Sequence, residues 1–256
     1  MAITGGSSGI GKVTAQVFAA SGYRVYELSR HGANGDGITH IDCDITDRNA
    51  CIGAIKAVIE DCGRIDVLIN NAGMGISGAV EFTDINEAKR QFDVNFFGAL
   101  NVTQAVLPYM RAAHGGRIIF VSSLAAEFPI PFQGFYSASK AAVNALACAL
   151  RNEVAPFGVS VCCMLPGDVK TNFTAARTKS DAGSDVYTRM NRAVETMEHD
   201  EQHGLSSRQI AYKLLRIAGA ARPGIYHTAG LKYHAFVFLN RLLPKTLVNF
   251  LVGKIY

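Results

Sequence analysis

Short apolar runs alternate with amphipathic stretches along most of this chain, and that alternation narrows its fold more than any other feature. The runs are Arg24–Leu28, Ile38–Asp42, Ile65–Ile69, Arg117–Val121 and Val159–Leu165. Each is rich in Val, Ile or Leu and too short for a helix, as strands buried on both faces are. Helical patterns fill the gaps at Gly11–Ala20, Asn49–Glu60, Ile85–Ala113 and Ser137–Ala155. The expectation is one α/β domain over residues 1–256, a doubly wound parallel sheet with helices on both faces and a helical extension at its end. Only Ala2 and Ile3 precede Thr4, so the first strand is expected to be nearly missing and the sheet centre weakened. Arg30–Gly37 (RHGANGDG) carries three glycines and an Asn, which excludes a helix and predicts a bare loop. Beyond Asn172 the pattern weakens: Asn172–Gly204 is polar and mixed, Ser206–Ala218 reads as a helix, and Gly224–Gly230 as a last strand. Tyr233–Tyr256 is apolar and aromatic, broken by Pro244.

Composition supports one well-packed domain: of 256 residues, 49% are hydrophobic and 18% charged. A net charge of +4 without a Lys/Arg run gives no reason to invoke nucleic acid. The six cysteines, Cys43, Cys51, Cys62, Cys148, Cys162 and Cys163, form no C-x-x-C pair, so they read as buried reduced thiols rather than zinc ligands or a disulfide framework. The seven histidines are scattered and read as structural or surface residues, so no metal is expected. A glycine-rich turn follows Met1 too closely for a signal peptide, and the expected compartment is cytoplasmic.

That turn, Thr4–Gly11, reads TGGSSGIG where a strand hands over to a helix. Glycine there permits positive φ and close approach of the backbone to a phosphate, which the amides of the following helix would meet. A nucleotide-triphosphatase loop is the rival reading, because Gly6–Lys12 matches its first seven positions. The eighth, which should be Ser or Thr to hold magnesium, is Val13, and Thr14 is rotated about 100° away on a helix.

Tyr136 and Lys140 stand four apart at the start of a helical pattern and therefore share a face. A free phenol has a pKa near ~10, and a nearby ammonium is expected to bring it down so that Tyr136 can pass a proton to or from a substrate oxygen. Ser122 and Ser123 close the strand Arg117–Val121, at the carboxyl edge where open α/β sheets bind ligands. A serine there can hydrogen-bond the same oxygen.

Together these residues resemble the short-chain dehydrogenase/reductase family over about Ile3 to Thr171. The resemblance implies a Rossmann-type fold and NAD(P)-dependent interconversion of a secondary alcohol and a ketone. TGGSSGIG is similar to the family's TGxxxGxG turn, which implies cofactor contacts from Gly5, Ser7, Ser8, Gly9, Ile10 and Gly11. Asp44, with Ile45 beside it, matches the acid that contacts the adenine, and Asn71, Ala72 and Gly73 fall in the NNAG motif. Asn95 in VNFFG matches the catalytic asparagine, and Ser123, Tyr136 and Lys140 match the catalytic trio, Ser123 rather than Ser122 having the family's spacing. The resemblance further implies that Lys140 bonds the nicotinamide ribose, that Asn95 holds a water linking Lys140 to solvent, and that Pro166, Gly167, Val169 and Thr171 flank the nicotinamide.

Relatives that prefer NAD carry an Asp at the end of the second strand. Ser29 stands there in this chain, followed by Arg30, whose guanidinium suits a 2′-phosphate, so NADP(H) is expected over NAD(H). Glu27, two residues earlier, is the competing feature. The segment Leu124–Phe135 carries Phe128, Phe132 and Phe135 between the serine and the tyrosine, and Phe128 and Phe132 are expected to line a pocket for a bulky lipophilic ketone or alcohol. PFQGFYSASKAAV is similar to the 17β-hydroxysteroid and retinol dehydrogenase branches, which puts a steroid among the expected substrates. Residues 172–204 are expected to form a substrate loop, and 233–256 a helix covering the domain or packing on another subunit; docking on a membrane is the less favoured alternative. The family implies a homodimer or homotetramer. The alternative function is a cofactor-binding regulatory or scaffold protein without turnover, against which the full set Asn95, Ser123, Tyr136 and Lys140 argues.

Overall fold

The computed structural model describes residues 1–256. Strand and helix alternate from the first residues: β1 (Ala2–Thr4), α1 (Gly9–Ala20), β2 (Val25–Ser29), β3 (Ile38–Asp42), α2 (Arg48–Cys62) and β4 (Val67–Asn70). The alternation continues through β5 (Ile76–Ser77), α3 (Ile85–Phe92), α4 (Ala99–Ala112), β6 (Gly116–Val121), α5 (Gly134–Val154) and β7 (Val159–Met164). The remainder comprises β8 (Val169–Lys170), α6 (Phe173–Ala176), β9 (Thr178–Lys179), α7 (Met190–Gln202), β10 (Leu205–Ser206), α8 (Ser207–Gly219), β11 (Tyr226–His227), α9 (Leu231–Leu242) and α10 (Lys245–Ile255). Seven strands form one parallel sheet in the order β11-β7-β6-β4-β1-β2-β3.

Successive side chains on a strand point to opposite faces, and both faces are covered except at the edge strand β3, none of whose residues is fully buried, contrary to the expectation for Ile38–Asp42. Ile118 and Phe120 of β6 enter the core shared with α2, α4 and α5, while Ile119 and Val121 enter the core shared with α1 and α8. Cys162 and Cys163 divide in the same way, which explains two adjacent buried thiols without a disulfide. Cys62 and Cys148 depart from the expectation of burial, each being partly exposed.

β1 is short but central. Ala2 and Ile3 are fully buried between β2 and β4, and the amino group of Met1 donates to the Arg24 carbonyl at 2.6 Å. Arg30–Gly37 is the expected loop, closed by a bridge between Gly35 and Ile38. The expected helix Ile85–Ala113 is interrupted: Asp93–Gly98 forms a π-helical turn between α3 and α4. Such turns are commonly found at functional sites, and this one carries Asn95. Residues 172–204 are more ordered than their polar composition suggested. β9 pairs with β5, and α7 buries Met190, Ala193 and Met197.

Candidate active site

The carboxyl ends of β1, β2, β4, β6 and β7 open into one cavity of about 1220 Å³. One end is built by the glycine turn. Gly5 (φ 65°) and Gly9 (φ 51°) adopt the left-handed backbone that glycine permits, and α1 begins at Gly9 with its first amides free of any side-chain cap. Thr4 and Asn71 hold the turn's shape. The Thr4 hydroxyl accepts from the amides of Asn71 and Ala72, each at 3.0 Å, and the Asn71 amide donates to the carbonyls of Thr4 and Gly5 at 3.0 and 3.2 Å.

Gly5, Ser7, Ser8, Gly9 and Ile10 line the cavity, together with Ser29, Arg30, Asp44, Ile45, Asn71, Ala72 and Gly73. Gly11 does not, contrary to its expected cofactor contact: a Cβ there would lie 2.2 Å from the Gly5 carbonyl oxygen, so it shapes the turn from behind. Lys12, the residue a triphosphatase loop would aim at phosphate, is exposed and lies outside the cavity lining. Asp44 accepts from the Thr46 amide at 2.9 Å and its hydroxyl at 2.7 Å, and these bonds, with help from the Arg30 charge, hold its carboxyl below the usual carboxylate range.

Glu27 is removed from competition for the ribose. It is 3% exposed beneath the turn, 2.5 Å from His40 Nδ1, while His40 Nε2 lies 3.0 Å from Asp42. Burial works against a charge on His40, but the two carboxylates prevail and its pKa is raised. A Cβ at Gly6 would meet the Glu27 side chain at 2.3 Å, so the turn closes over this pair.

The far wall carries the expected trio. Ser123 stands two residues past β6 and caps the turn Leu124–Ala126, and Tyr136 and Lys140 project from the first turns of α5; all three line the cavity. Lys140 Nζ donates to the Val121 carbonyl at 2.9 Å and lies 5.8 Å from the centre of the Tyr136 ring. The expectation that this ammonium lowers the phenol's pKa does not hold for the protein alone. Burial pushes Tyr136 up to about 12, the Ser123 hydroxyl beside it works the other way, and burial pushes Lys140 down to about 8.

Asn95 sits behind this wall, buried and outside the cavity lining. Its side-chain oxygen accepts from the Met74 amide at 2.8 Å, and its nitrogen donates to the Met74 carbonyl and the Ser139 hydroxyl, both at 3.0 Å. The side chain therefore ties the loop after β4 to α5 and uses its groups on protein partners. A Cβ at Gly73 would stand 3.2 Å from Asn95 Oδ1 and 3.5 Å from Lys140 Nζ, so a glycine there keeps the loop against both residues.

On the substrate side, Pro166, Gly167, Val169, Thr171 and Phe128 line the cavity. Phe132 does not. Its backbone turns at φ 61° and its ring packs 6.2 Å from that of Tyr187, so the expected pocket role is corrected to a packing role outside the cavity; Phe135 is likewise outside. Sequence reasoning missed Phe173, whose ring is 5.7 Å from that of Tyr136, and the Arg177–Glu201 ion pair beside it. Arg177 is buried, and Glu201 also accepts from the Thr174 hydroxyl at 2.5 Å. No local pattern marks that pair, because its partners meet only when α7 folds against α6. The lining also includes Tyr233, Phe236, Leu239, Leu243 and Leu251 from α9 and α10 and the segment between them, so the apolar end segment closes one side of the cavity.

The arrangement combines a glycine-rich cradle, a buried tyrosine–lysine pair and an apolar recess in one cavity. Comparison with known proteins agrees with it. Residues 1–182 match the family model described as short chain dehydrogenase. The chain is 41% identical to a 3-ketodihydrosphingosine reductase from Bacteroides thetaiotaomicron, with 99% of this chain and 96% of that protein covered. It is 29% identical to the dehydrogenase/reductase SDR family member 7B of Xenopus tropicalis, with 98% and 84% covered. Among solved structures, a short-chain dehydrogenase from Streptomyces avermitilis superposes with a TM-score of 0.84 at 27% identity, covering 93% of this chain and 90% of that one. The chain belongs to the short-chain dehydrogenase/reductase family and is an oxidoreductase that acts on CH–OH and C=O groups.

Proposed function

We propose that the protein is an NADP(H)-dependent reductase of a long-chain lipophilic ketone, with Tyr136 as the proton donor. The observation that carries this reading is the single cavity joining the glycine cradle, the Ser123–Tyr136–Lys140 wall and an apolar recess lined by α9 and α10. The cradle fits a dinucleotide because Gly5, Gly9 and Gly11 let the turn approach closely and the first amides of α1 lack a side-chain cap. Gly5 to Ile10 would hold its phosphates, Asp44 and Ile45 its adenine end, and Thr171 with Lys140 its nicotinamide end. Ser29 and Arg30 at the mouth favour a 2′-phosphate, and Glu27, buried outside the cavity lining, does not present its carboxylate to the ribose.

When bound, NADPH supplies the hydride to the carbonyl carbon. The chain's own residues then have defined tasks. The Ser123 hydroxyl and the Tyr136 phenol bond the carbonyl oxygen and so fix the face presented to the cofactor. Tyr136, protonated at neutral pH, donates its proton to the oxygen as negative charge develops there. Lys140, held by the Val121 carbonyl, stabilises the phenolate left behind and passes a proton back to it. Asn95 keeps Gly73 and Met74 pressed against this pair.

Of the lipophilic ketones, a 3-keto sphingoid base is favoured over a steroid. The 41% identical Bacteroides relative supports it, and so do the cavity's aliphatic side chains from α9 and α10. The test is NADPH oxidation with 3-ketodihydrosphingosine, a 17-ketosteroid and a short ketone, each repeated with NADH. Turnover of the sphingoid ketone with NADPH is expected; turnover restricted to the steroid, or equal turnover with NADH, overturns the corresponding part.

A further inference from the structure

α9 is apolar on two opposite faces. One face, with Tyr233, Phe236 and Leu239 and continued by Leu243 just past the helix end, closes the cavity. The other carries Leu231, Phe238 and Leu242, which are 89%, 62% and 64% exposed. Their spacings of seven and four residues set them within about 20° of one line along the helix. An apolar stripe on the outer side of a helix whose inner side is already packed is a surface that a partner or a bilayer can cover. After the break at Pro244, α10 adds Leu247 and Phe250, the latter 59% exposed.

The charge on this hairpin has one sign. No Asp or Glu follows Glu201, whereas eight Lys and Arg do. Lys232, Arg241, Lys245 and Lys254 lie on α9 and α10, all exposed, and none pairs with a carboxylate side chain. Two acidic side chains bond the hairpin, both from its inner side: Glu127 accepts from Asn240 at 3.4 Å, and Asp168 accepts from the Tyr233 hydroxyl at 2.8 Å. No helix of the chain is long and apolar enough to cross a membrane.

We infer that the outer face of the α9–α10 hairpin docks on an anionic lipid bilayer and brings the cavity mouth to it. Exposed apolar side chains flanked by unpaired cations match the acyl boundary and headgroups of such a surface. A second copy of the chain fits less well, because a two-fold contact through this face would set like cations against one another. The face is also continuous with the site: Phe236, Leu239 and Leu251 line the cavity and yet are 41%, 45% and 45% exposed. An apolar substrate entering between them need not cross water. This inference goes beyond the reductase reading and stands or falls separately from it.

The test is co-sedimentation of the full chain with phosphatidylglycerol-containing vesicles and with pure phosphatidylcholine vesicles. Binding to the anionic vesicles is expected, weakening as salt screens the cations. Phe238→Glu and Leu242→Glu, neither of which lines the cavity, should each weaken it about tenfold, as expected if roughly half the transfer energy of a buried Phe or Leu is lost. Lys245→Glu should remove the preference for anionic vesicles. Unchanged melting temperature and NADPH binding would show that the variants are folded. Absence of vesicle binding by the native chain, or binding unaltered in these variants, overturns the inference. So does a native dimer, by light scattering, that becomes monomeric in Phe238→Glu, because a second copy would then own the face.

Discussion

Replacing Gly11 with alanine should damage both the stability of the protein and its grip on the nucleotide, although alanine is the better helix former. In an open helix interior the exchange would gain about 0.8–1 kcal/mol. At Gly11 the new Cβ would stand 2.2 Å from the Gly5 carbonyl oxygen and 2.5 Å from Asn71 Nδ2, and both belong to the hydrogen-bonded turn. Ordinary contact requires a shift of roughly an ångström. Overpacking of that kind costs ~1–3 kcal/mol, and each Asn71 bond lost adds about 1 kcal/mol. The net loss is therefore about 1–3 kcal/mol, or roughly 2–12 °C in Tm for a domain of this size. A displaced turn also misplaces amides meant for phosphate, and losing one charge-assisted bond of about 1.5 kcal/mol weakens NADPH at least ~10-fold. The assay is thermal denaturation plus fluorescence titration with NADPH, with Gly53→Ala as the comparison. Gly53 is an exposed glycine inside α2 where an added Cβ would meet nothing within 4 Å, and its replacement should raise Tm by about 2–4 °C. A Gly11→Ala protein as stable as the native one, binding NADPH equally well, would refute the close-approach argument.

Tyr136→Phe should lower turnover at least ~100-fold and leave NADPH affinity within about twofold, measured by steady-state kinetics and titration; retained turnover removes the proton-donor role. Arg30→Ala should weaken NADPH ~10-fold or more, from one charge-assisted contact, and leave NADH nearly unchanged; equal losses for both cofactors would remove the basis for preferring NADP(H). Lys140→Met tests the buried ammonium through pH. Because burial lowers the folded-state pKa to about 8 from 10.5, the unfolded chain holds the proton more tightly between those values. The destabilisation is full below pH 8 and fades toward pH 10.5, so the native protein should gain stability relative to Lys140→Met between pH 7 and pH 10. A difference in Tm that stays constant over that range would contradict it.

Much of the site was legible in the order of residues because its parts are local. The turn needs glycine where φ is positive, at Gly5 and Gly9, and Tyr136 and Lys140 meet because a helix brings positions four apart together. The same locality exposed the strands β2, β3, β4, β6 and β7 as short apolar runs. Tertiary structure decided what depends on distant partners. Phe132 looked like a pocket residue, but its backbone turns its ring toward Tyr187. Glu27 looked like a rival for the ribose until His40, one strand across, engaged it. Nothing near Arg177 in the chain announces that Glu201, on α7, will pair with its buried guanidinium. The proton pair shows the division most clearly. Spacing alone places a cation near the Tyr136 phenol and predicts a lowered pKa, whereas the folded surroundings remove water from both groups and shift them in opposite directions, because desolvation acts on whichever form carries charge.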